Sequence, residues 1–476
     1  MSSLKKNIIT GTIWSVGGQL AYLLILLGTN IWMARILSPN EFGQIGIIMF
    51  FITIANVFTE SGLGGALVRK KDALPSDYST VFVFNLVISL LCFLLLYLSS
   101  SYIADFYNDS TLKSLLIVSG FILIINAFQI VQNAKIVSEM KFKRKSIIRL
   151  VSAILGSIVG ITCAYQGLGV WSLVYMQLIS AASLTLIYWI TEGLFFSFLF
   201  SKKSFLELYR FGVNTTLASL LNTAFDNIYQ LILGRYFSVN QVGLYYQAKK
   251  LQDVPGGIIN MVSQSVIFSG LAKLQEDKES FIKAYNKITL VFLVILGFIS
   301  CFIYIYSEQI ILILYVNKWL GAVFYMQLLT IASFFYYQEK INRIIFKVFN
   351  KTNQILYLEF LKKGIQCLTI LIGIYFLDIN ILIIGFIVTS IIGYYINYYY
   401  SRKILGVNNR YEIITFLKII LVSFVCIFIV YIINNQFSGV YIKLSTLPFL
   451  IILYWGGLYI LKIFNFIKFM QQIKKN

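Results

Sequence analysis

Apolar stretches of about 20 residues, the length needed to cross a ~30 Å hydrocarbon core as a helix, recur along this chain from end to end. No other feature of the sequence restricts the fold as tightly. The stretches fall near 8–34, 42–66, 79–100, 112–137, 147–165, 168–190, 211–234, 244–270, 285–306, 321–346, 355–376, 380–400, 413–433 and 444–463. Strands of an outer-membrane barrel would alternate polar and apolar side chains. Runs such as Leu90-Leu91-Cys92-Phe93-Leu94-Leu95-Leu96 show no alternation. The expected fold is therefore all-α: a polytopic membrane protein with about fourteen transmembrane helices. Composition agrees, since only 12% of the 476 residues are charged, where a soluble domain keeps about a quarter.

The formal net charge of +20 raises the question of nucleic acid. Lys and Arg are distributed by side of the membrane instead. With the N-terminus inside and fourteen crossings, the external side receives only Arg35, Lys113, Arg235, Lys249, Lys250, Lys318 and Lys443 of the 39 basic residues. That bias is the positive-inside rule. It predicts a multi-pass protein of the inner or plasma membrane with both termini cytoplasmic, surrounded by membrane lipids and binding no nucleic acid. The apolar run at the N-terminus continues to span length without a small-residue cleavage site, so it reads as the first helix and not a signal peptide.

Enzymatic chemistry finds few materials. There is no histidine, which removes imidazole as base, relay or metal ligand. Cys92, Cys163, Cys301, Cys367 and Cys426 share no short spacing and read as packing residues, with no disulfide framework or metal site. No loop exceeds about fifteen residues, leaving no room for an extramembrane catalytic domain. Glycine patches such as Gly62-Leu63-Gly64-Gly65 lack the strand-to-helix context of a nucleotide loop and suit close helix packing. The reading is no enzyme, no metal and no cofactor. Tryptophans Trp32, Trp171, Trp189 and Trp319 fall where boundary anchors belong.

An internal repeat organises the spans. Arg35-Ile36-Leu37-Ser38-Pro39-Asn40-Glu41-Phe42-Gly43 and Arg235-Tyr236-Phe237-Ser238-Val239-Asn240-Gln241-Val242-Gly243 match at Arg, Ser, Asn and Gly with an offset of 200 residues. The same offset superimposes span one on seven and two on eight. Two six-helix parallel-repeat bundles follow, 1–200 and 201–400, around a central cavity, with two additional helices and a cytoplasmic tail in 401–476. Transporters built from parallel repeats bind cargo at the repeat interface.

Ionisable groups inside spans are the candidates for chemistry, because hydrocarbon tolerates them only beside a cavity or a partner. Asp226, followed by Asn227, lies deep in span seven, and Glu60 lies late in span two. Each could carry a coupling ion or only anchor a neighbouring helix. Arg35 and Arg235 could grip phosphate oxygens bidentately, with Lys249 and Lys250 beside them, or could snorkel at the interface. Pro255-Gly256-Gly257 in span eight predicts a hinge, or a static bend.

These residues carry a resemblance. Leu233-Gly234-Arg235, then Val242-Gly243-Leu244-Tyr245-Tyr246-Gln247-Ala248, Leu251 and Pro255, resemble the signature of the polysaccharide flippases. These form the Wzx/teichuronic-acid-exporter-like branch of the multidrug/oligosaccharidyl-lipid/polysaccharide exporter superfamily. Pro39-x-x-Phe42-Gly43, Glu60-x-Gly62-Leu63-Gly64-x-Ala66-Leu67-Val68, Gly167-x-Gly169-Val170-Trp171 and Asp226-Asn227 extend the match over most of the first 300 residues. Glu60 stands where relatives commonly carry aspartate, and Ser269 where proline is usual. The resemblance implies alternating access and a cargo of undecaprenyl-pyrophosphate-linked oligosaccharide, moved to the outer leaflet for O-antigen, capsule, exopolysaccharide or teichuronic-type polymer. It also implies partnership with a polymerase and chain-length machinery, and leaves room for H⁺ or Na⁺ coupling. The alternatives are a cation-coupled multidrug or metabolite exporter of the same superfamily and, in another class, a membrane glycan polymerase or ligase.

Overall fold

The computed structural model describes residues 2–463 except 61, 71, 194–196, 263–266, 350, 408, 409 and 438. Lys71, part of the expected eighth span and the tail with Lys468, Lys474 and Lys475 lie outside the described residues. The described chain is helical. The first helices are α1 (Ser2–Ile36), α2 (Pro39–Glu60), α3 (Leu63–Arg69), α4 (Pro75–Tyr107), α5 (Thr111–Ala127), α6 (Ile130–Ser138), α7 (Phe142–Tyr165), α8 (Trp171–Glu192) and α9 (Lys202–Tyr236). They are followed by α10 (Val239–Val262), α11 (Phe268–Ala272), α12 (Lys278–Ile305), α13 (Ser307–Tyr315), a 3-10 turn at Asn317–Trp319 and α14 (Ala322–Val348). The last are α15 (Thr352–Phe376), α16 (Ile379–Leu405), α17 (Arg410–Asn435), α18 (Val440–Leu444) and α19 (Leu447–Ile460).

Ten helical segments among the described residues are long and apolar enough to cross a membrane. This is a multi-pass membrane protein. The four other expected spans are also helices, α9, α10, α14 and α15, of 35, 24, 27 and 25 residues. They carry too many charges and amides to register as spans on composition.

Helix boundaries follow local chemistry. Proline opens α2 and α4, where its missing N–H would be unbonded anyway. Ser201 caps α9 by accepting from Ser204 N at 3.3 Å, and Asp277 caps α12 by accepting from Ser280 N at 3.1 Å. Each side chain satisfies a backbone donor that the first turn leaves over. In the α3–α4 loop, Lys70 lies 3.0 Å from both Asp77 and Glu207. Burial, the largest single influence, pulls its pKa down, but the two carboxylates together hold it above the ordinary lysine value.

The chain divides into two compact units, 1–246 and 247–476. In the first, α7 packs along α8 and α1, α4 along α5, and α9 along α2, α3 and α4. Small residues allow the closest approaches. A Cβ on Gly156 would lie 2.6 Å from Met176 O, and one on Gly160 would lie 2.7 Å from Met176 Cβ. In the second unit α14 is the central helix, packed on α12, α16, α13, α15 and α11, and α17 packs on α12 and α19. Tyr454, Phe416 and Ile419 are fully buried or nearly so in the apolar core of this unit.

Two expectations change. Trp319 is no boundary anchor: it is fully buried beside Tyr315, in the turn between α13 and α14. Of the Gly62–Gly65 patch, Gly62 takes a left-handed φ of 65° and Gly64 packs under Ile130, but nothing lies within 4 Å of a Cβ on Gly65.

Candidate functional site

Each repeat motif places a serine at the start of a helix and a glycine where two helices cross. In the first, Ser38 opens α2 through a capping box: its N–H and Oγ–H donate to Glu41 Oε2 at 2.6 and 2.8 Å, and Glu41 N approaches Ser38 Oγ at 3.5 Å. In the second, Gln241 N donates to Ser238 Oγ at 3.2 Å at the start of α10. The Ser-x-x-Glu and Ser-x-x-Gln spacing is what such a box requires. The fifth residue after each serine is a glycine, and there the two helices cross. A Cβ on Gly43 would lie 1.9 Å from Val239 O, and a Cβ on Gly243 would lie 1.8 Å from Pro39 O. Each motif's glycine therefore faces the other motif's backbone at the equivalent position. Any side chain at either would push the two helix N-termini apart.

Arg35 and Arg235 end the helices that precede these crossings, and both are exposed. Arg235 Nη1 donates to Phe106 O at 2.5 Å, and its guanidinium lies 4.4 Å from the Phe106 ring centroid. It thus covers a carbonyl at the C-terminal end of α4, where cations are favoured. Lys249 is half-buried and Lys250 exposed on α10.

Glu60 and Asp226 are both exposed, the first at the last residue of α2 and the second within α9. Asn227 is half-buried and its amide donates to Thr223 O at 2.9 Å. Within the first unit one turn before Glu60, a polar chain links α2 to α5: Asn126 donates to Asn56 Oδ1 at 3.2 Å, and Gln129 donates to Asn126 Oδ1 at 2.7 Å.

Arg149 is a cation that sequence reasoning passes over, because the positive-inside rule already accounts for it as a topological charge. Its Nη1 donates to Gln19 Oε1 at 2.6 Å and its guanidinium lies 3.7 Å above the Tyr22 ring, joining α7 to α1. Its place at the edge of a span hides it among the loop charges. Only the polar Gln19 and Tyr22 inside the first apolar run hint at a partner.

In the second unit, Pro255 does not interrupt α10, which stays helical to Val262. Proline removes one helix donor and crowds the preceding carbonyls. The carbonyl it deprives of a donor is that of Leu251; the next one, Gln252 O, accepts from the Tyr337 hydroxyl at 3.0 Å. Gly256 is what admits the ring, since a Cβ there would lie 2.1 Å from Tyr337 Oη. The Gln252 amide meanwhile donates to Thr330 Oγ1 on α14. Gly257 is half-buried. Around Pro255, α10 is thus fastened to α14 by side chains more than seventy residues away.

Nearby, a cavity of about 240 Å³ is lined by Gly297, Cys301, Thr330, Phe334, Ser423 and Phe424 among others. Its walls are almost wholly apolar, and it would hold a segment of hydrocarbon chain rather than a sugar. Among the described residues no group of three or more His, Cys, Asp or Glu is placed to hold a metal ion.

The fold is that of a group of membrane transporters. It superimposes on the lipid II flippase MurJ in an inward closed conformation with a TM-score of 0.75, covering 95% of this chain and 98% of that one at 16% identity. An inward-facing multidrug resistance MATE family transporter of the MOP superfamily gives a TM-score of 0.62, covering 83% and 98%, also at 16% identity. The sequence pattern of the family described as "Polysaccharide biosynthesis protein" matches residues 32–324. The chain belongs to that family. Among named relatives, the succinoglycan biosynthesis transport protein ExoT of Rhizobium meliloti is 24% identical over 318 residues, 67% of this chain and 64% of ExoT. The match thus spans less than two thirds of that relative's length. The teichuronic acid biosynthesis protein TuaB of Bacillus subtilis is 23% identical over 340 residues, covering 70% and 69%. The lipopolysaccharide biosynthesis protein WzxC of Escherichia coli is 24% identical over 348 residues, covering 70% and 68%.

Proposed function

We propose that the protein is a flippase: it moves an undecaprenyl-pyrophosphate-linked oligosaccharide from the cytoplasmic to the outer leaflet for assembly of a surface polysaccharide. The observation that carries this reading is the family match over residues 32–324, joined to relatives named for transport or biosynthesis of three different surface glycans. Transport, not catalysis, is the activity. The physical task suits a helical bundle, because the lipid tail stays in the bilayer and only the polar head needs a wet path. Cations along that path would offset the cost of stripping water from phosphates.

In this reading the chain crosses the bacterial inner membrane fourteen times with both termini cytoplasmic, as repeats 1–200 and 201–400 plus two C-terminal helices. The crossing of α2 and α10 at Gly43 and Gly243 is the external seal, and it must part for cargo to leave. Arg35, Arg235, Lys249 and Lys250 attract the head group near that end. Glu60, Asp226 and Asn227 are the polar groups available for H⁺ or Na⁺ coupling, which the likeness to MATE transporters makes worth testing. Pro255, Gly256 and Gly257 provide the bend about which α10 moves. Partners would be the lipid-linked cargo, membrane lipids and the polymerase and chain-length machinery that consume it.

The test is a deletion strain, assayed for undecaprenyl-pyrophosphate oligosaccharide and for surface polysaccharide. Accumulated lipid-linked repeat units with loss of polymer, reversed by the wild-type chain, are expected. Unchanged lipid intermediates and normal polymer, in a strain without a second flippase, would point to small-molecule export. Neutralising Arg35 and Arg235 together should lower export without impairing folding, and full surface polymer from a well-expressed double variant would remove them from the site.

A further inference from the structure

The segment that leads into α9 is bonded to the first turns of α4. Ser79 and Thr80 are fully buried, and each donates its hydroxyl to a carbonyl one turn back, Pro75 O at 2.8 Å and Ser76 O at 2.7 Å. Each proton is thus engaged within α4, and the oxygen lone pairs remain to accept. Ser197 N donates to Ser79 Oγ and Ser201 N to Thr80 Oγ1, both at 3.0 Å. Two turns further on, Glu207 lies 3.0 Å from Lys70, which also lies 3.0 Å from the buried Asp77. Links at 197, 201 and 207 therefore tie the start of α9 to α4 and to the end of α3. The segment itself is uncovered, with Phe198, Leu199 and Phe200 exposed.

The other end of α9 is held differently. A Cβ on Gly234 would lie 2.9 Å from Tyr107 Cε1 and 3.1 Å from Ile47 Cδ1. There α9 meets α4 and α2 by close packing. At its start, Leu208 and Phe205 supply the apolar contacts, the Phe205 and Phe84 ring centroids lying 4.9 Å apart. The rest of the attachment is polar. The Glu207 side chain is 56% exposed, and an ion pair so placed contributes little. Water can take over the backbone bonds to Ser79 and Thr80 when the segment lifts, so their net contribution is modest as well. A helix packed closely at one end and bonded lightly at the other swings about the packed end.

We propose that residues 197–207 are a releasable strap that closes the inner mouth of the first unit and must lift from α3 and α4 before cargo enters. This rests on the flippase reading above and on the topology proposed with it, which puts the strap on the cytoplasmic side. The two closures then differ in kind. The external one at Gly43 and Gly243 parts two backbones, and the internal one exchanges a few polar bonds for bonds to water.

The test fastens the strap covalently. The Ser79 and Ser197 hydroxyl oxygens lie 3.3 Å apart, so Ser79→Cys/Ser197→Cys places two sulfurs where oxidation can join them. The full-length double variant is reconstituted in liposomes with an undecaprenyl-diphosphate-linked oligosaccharide as probe. Oxidation should slow flipping at least about tenfold, because the strap gates turnover, and reduction should restore the rate. Each single-cysteine variant should ignore the oxidant. A second readout needs no cargo: Leu208→Cys, buried under the strap, is labelled with a water-soluble thiol reagent in phosphatidylcholine nanodiscs. Adding Glu207→Gln should raise its labelling about threefold over the wild-type background, the scale of one exposed pair. Full flipping by a completely cross-linked chain would overturn the strap, and so would labelling of Leu208→Cys that Glu207→Gln leaves unchanged. A wild-type chain that flips no probe, while the labelling rises as expected, would instead overturn the flippase reading and leave the strap in place.

Discussion

Helices α4 and α14 are similar in length, 33 and 27 residues, and inverted in pattern. The first exposes Leu90, Leu91, Leu94, Leu95 and Leu98 and buries Asn85, Ser89 and Ser100. The second buries Tyr325, Leu329, Ile341 and Phe346 and leaves Lys340, Arg343 and Lys347 half-buried in one stripe along the helix. By itself α14 would pass for a helix of a soluble protein. The side chains a helix exposes depend on whether it meets lipid or water. Both helices bury mixed sets, α4 adding Val81, Phe82, Leu96 and Tyr107 and α14 adding Thr330, Gln338, Glu339 and Asn342, so they differ in the face they leave exposed and not in what they bury.

The contrast can be broken by substitution, and the largest effect is expected behind the α14 stripe. Glu339→Gln leaves Lys362 short of a buried partner and should cost about 3–5 kcal/mol, read as a lower denaturation midpoint in detergent. An unchanged midpoint would mean that water reaches the pair. On α4, Leu94→Arg puts a charge against lipid and should cost about 2.5–3.5 kcal/mol; the readout is loss of membrane-inserted protein, and normal insertion would show that this face is covered by protein. The crossing of α2 and α10 depends on neither solvent but on backbone contact. Gly43→Ala and Gly243→Ala should each cost about 1–3 kcal/mol by overpacking, and cysteines introduced beside the crossing should become more reactive to a water-soluble thiol reagent. Equal reactivity would show that the helices do not meet there. Tyr337→Phe should cost about 0.5–1.5 kcal/mol for the hydrogen bond to Gln252 O, and transport should change more than stability if α10 hinges at Pro255 as proposed. Smallest is Lys340→Leu, whose effect on stability should stay within about 0.5 kcal/mol, because the stripe lies outside the core; a large loss would place it inside.

Part of the candidate site is legible in the sequence. The matched Arg, Ser, Asn and Gly of the two motifs locate both helix starts and both crossing residues, because capping and close approach each demand particular residue types. The reading of Arg35 and Arg235 as phosphate ligands goes beyond that, and the bond from Arg235 to Phe106 O gives this arginine a local role as well. The α14 stripe is less visible. Along the chain Lys340, Arg343 and Lys347 stand out only as charges on one side of the membrane, since a count by side does not ask which face of a helix they share. Arg149 escapes for the same reason.

By itself the sequence determined that the chain is a membrane-embedded set of helices in which one nine-residue motif recurs at an offset of 200 residues. Both properties are local: the length of an apolar run decides whether it can span a bilayer, and a residue pattern decides where a helix begins. The tertiary structure alone decided that Gly43 and Gly243 meet, that Tyr337 bonds Gln252 O beside Pro255, that Trp319 is buried and that Lys340, Arg343 and Lys347 share one half-buried face of α14. It also set the two compact units, 1–246 and 247–476. Each of these depends on which distant side chain fills the space beside a residue, and residues tens to hundreds of positions apart leave no periodic trace of that pairing along the chain.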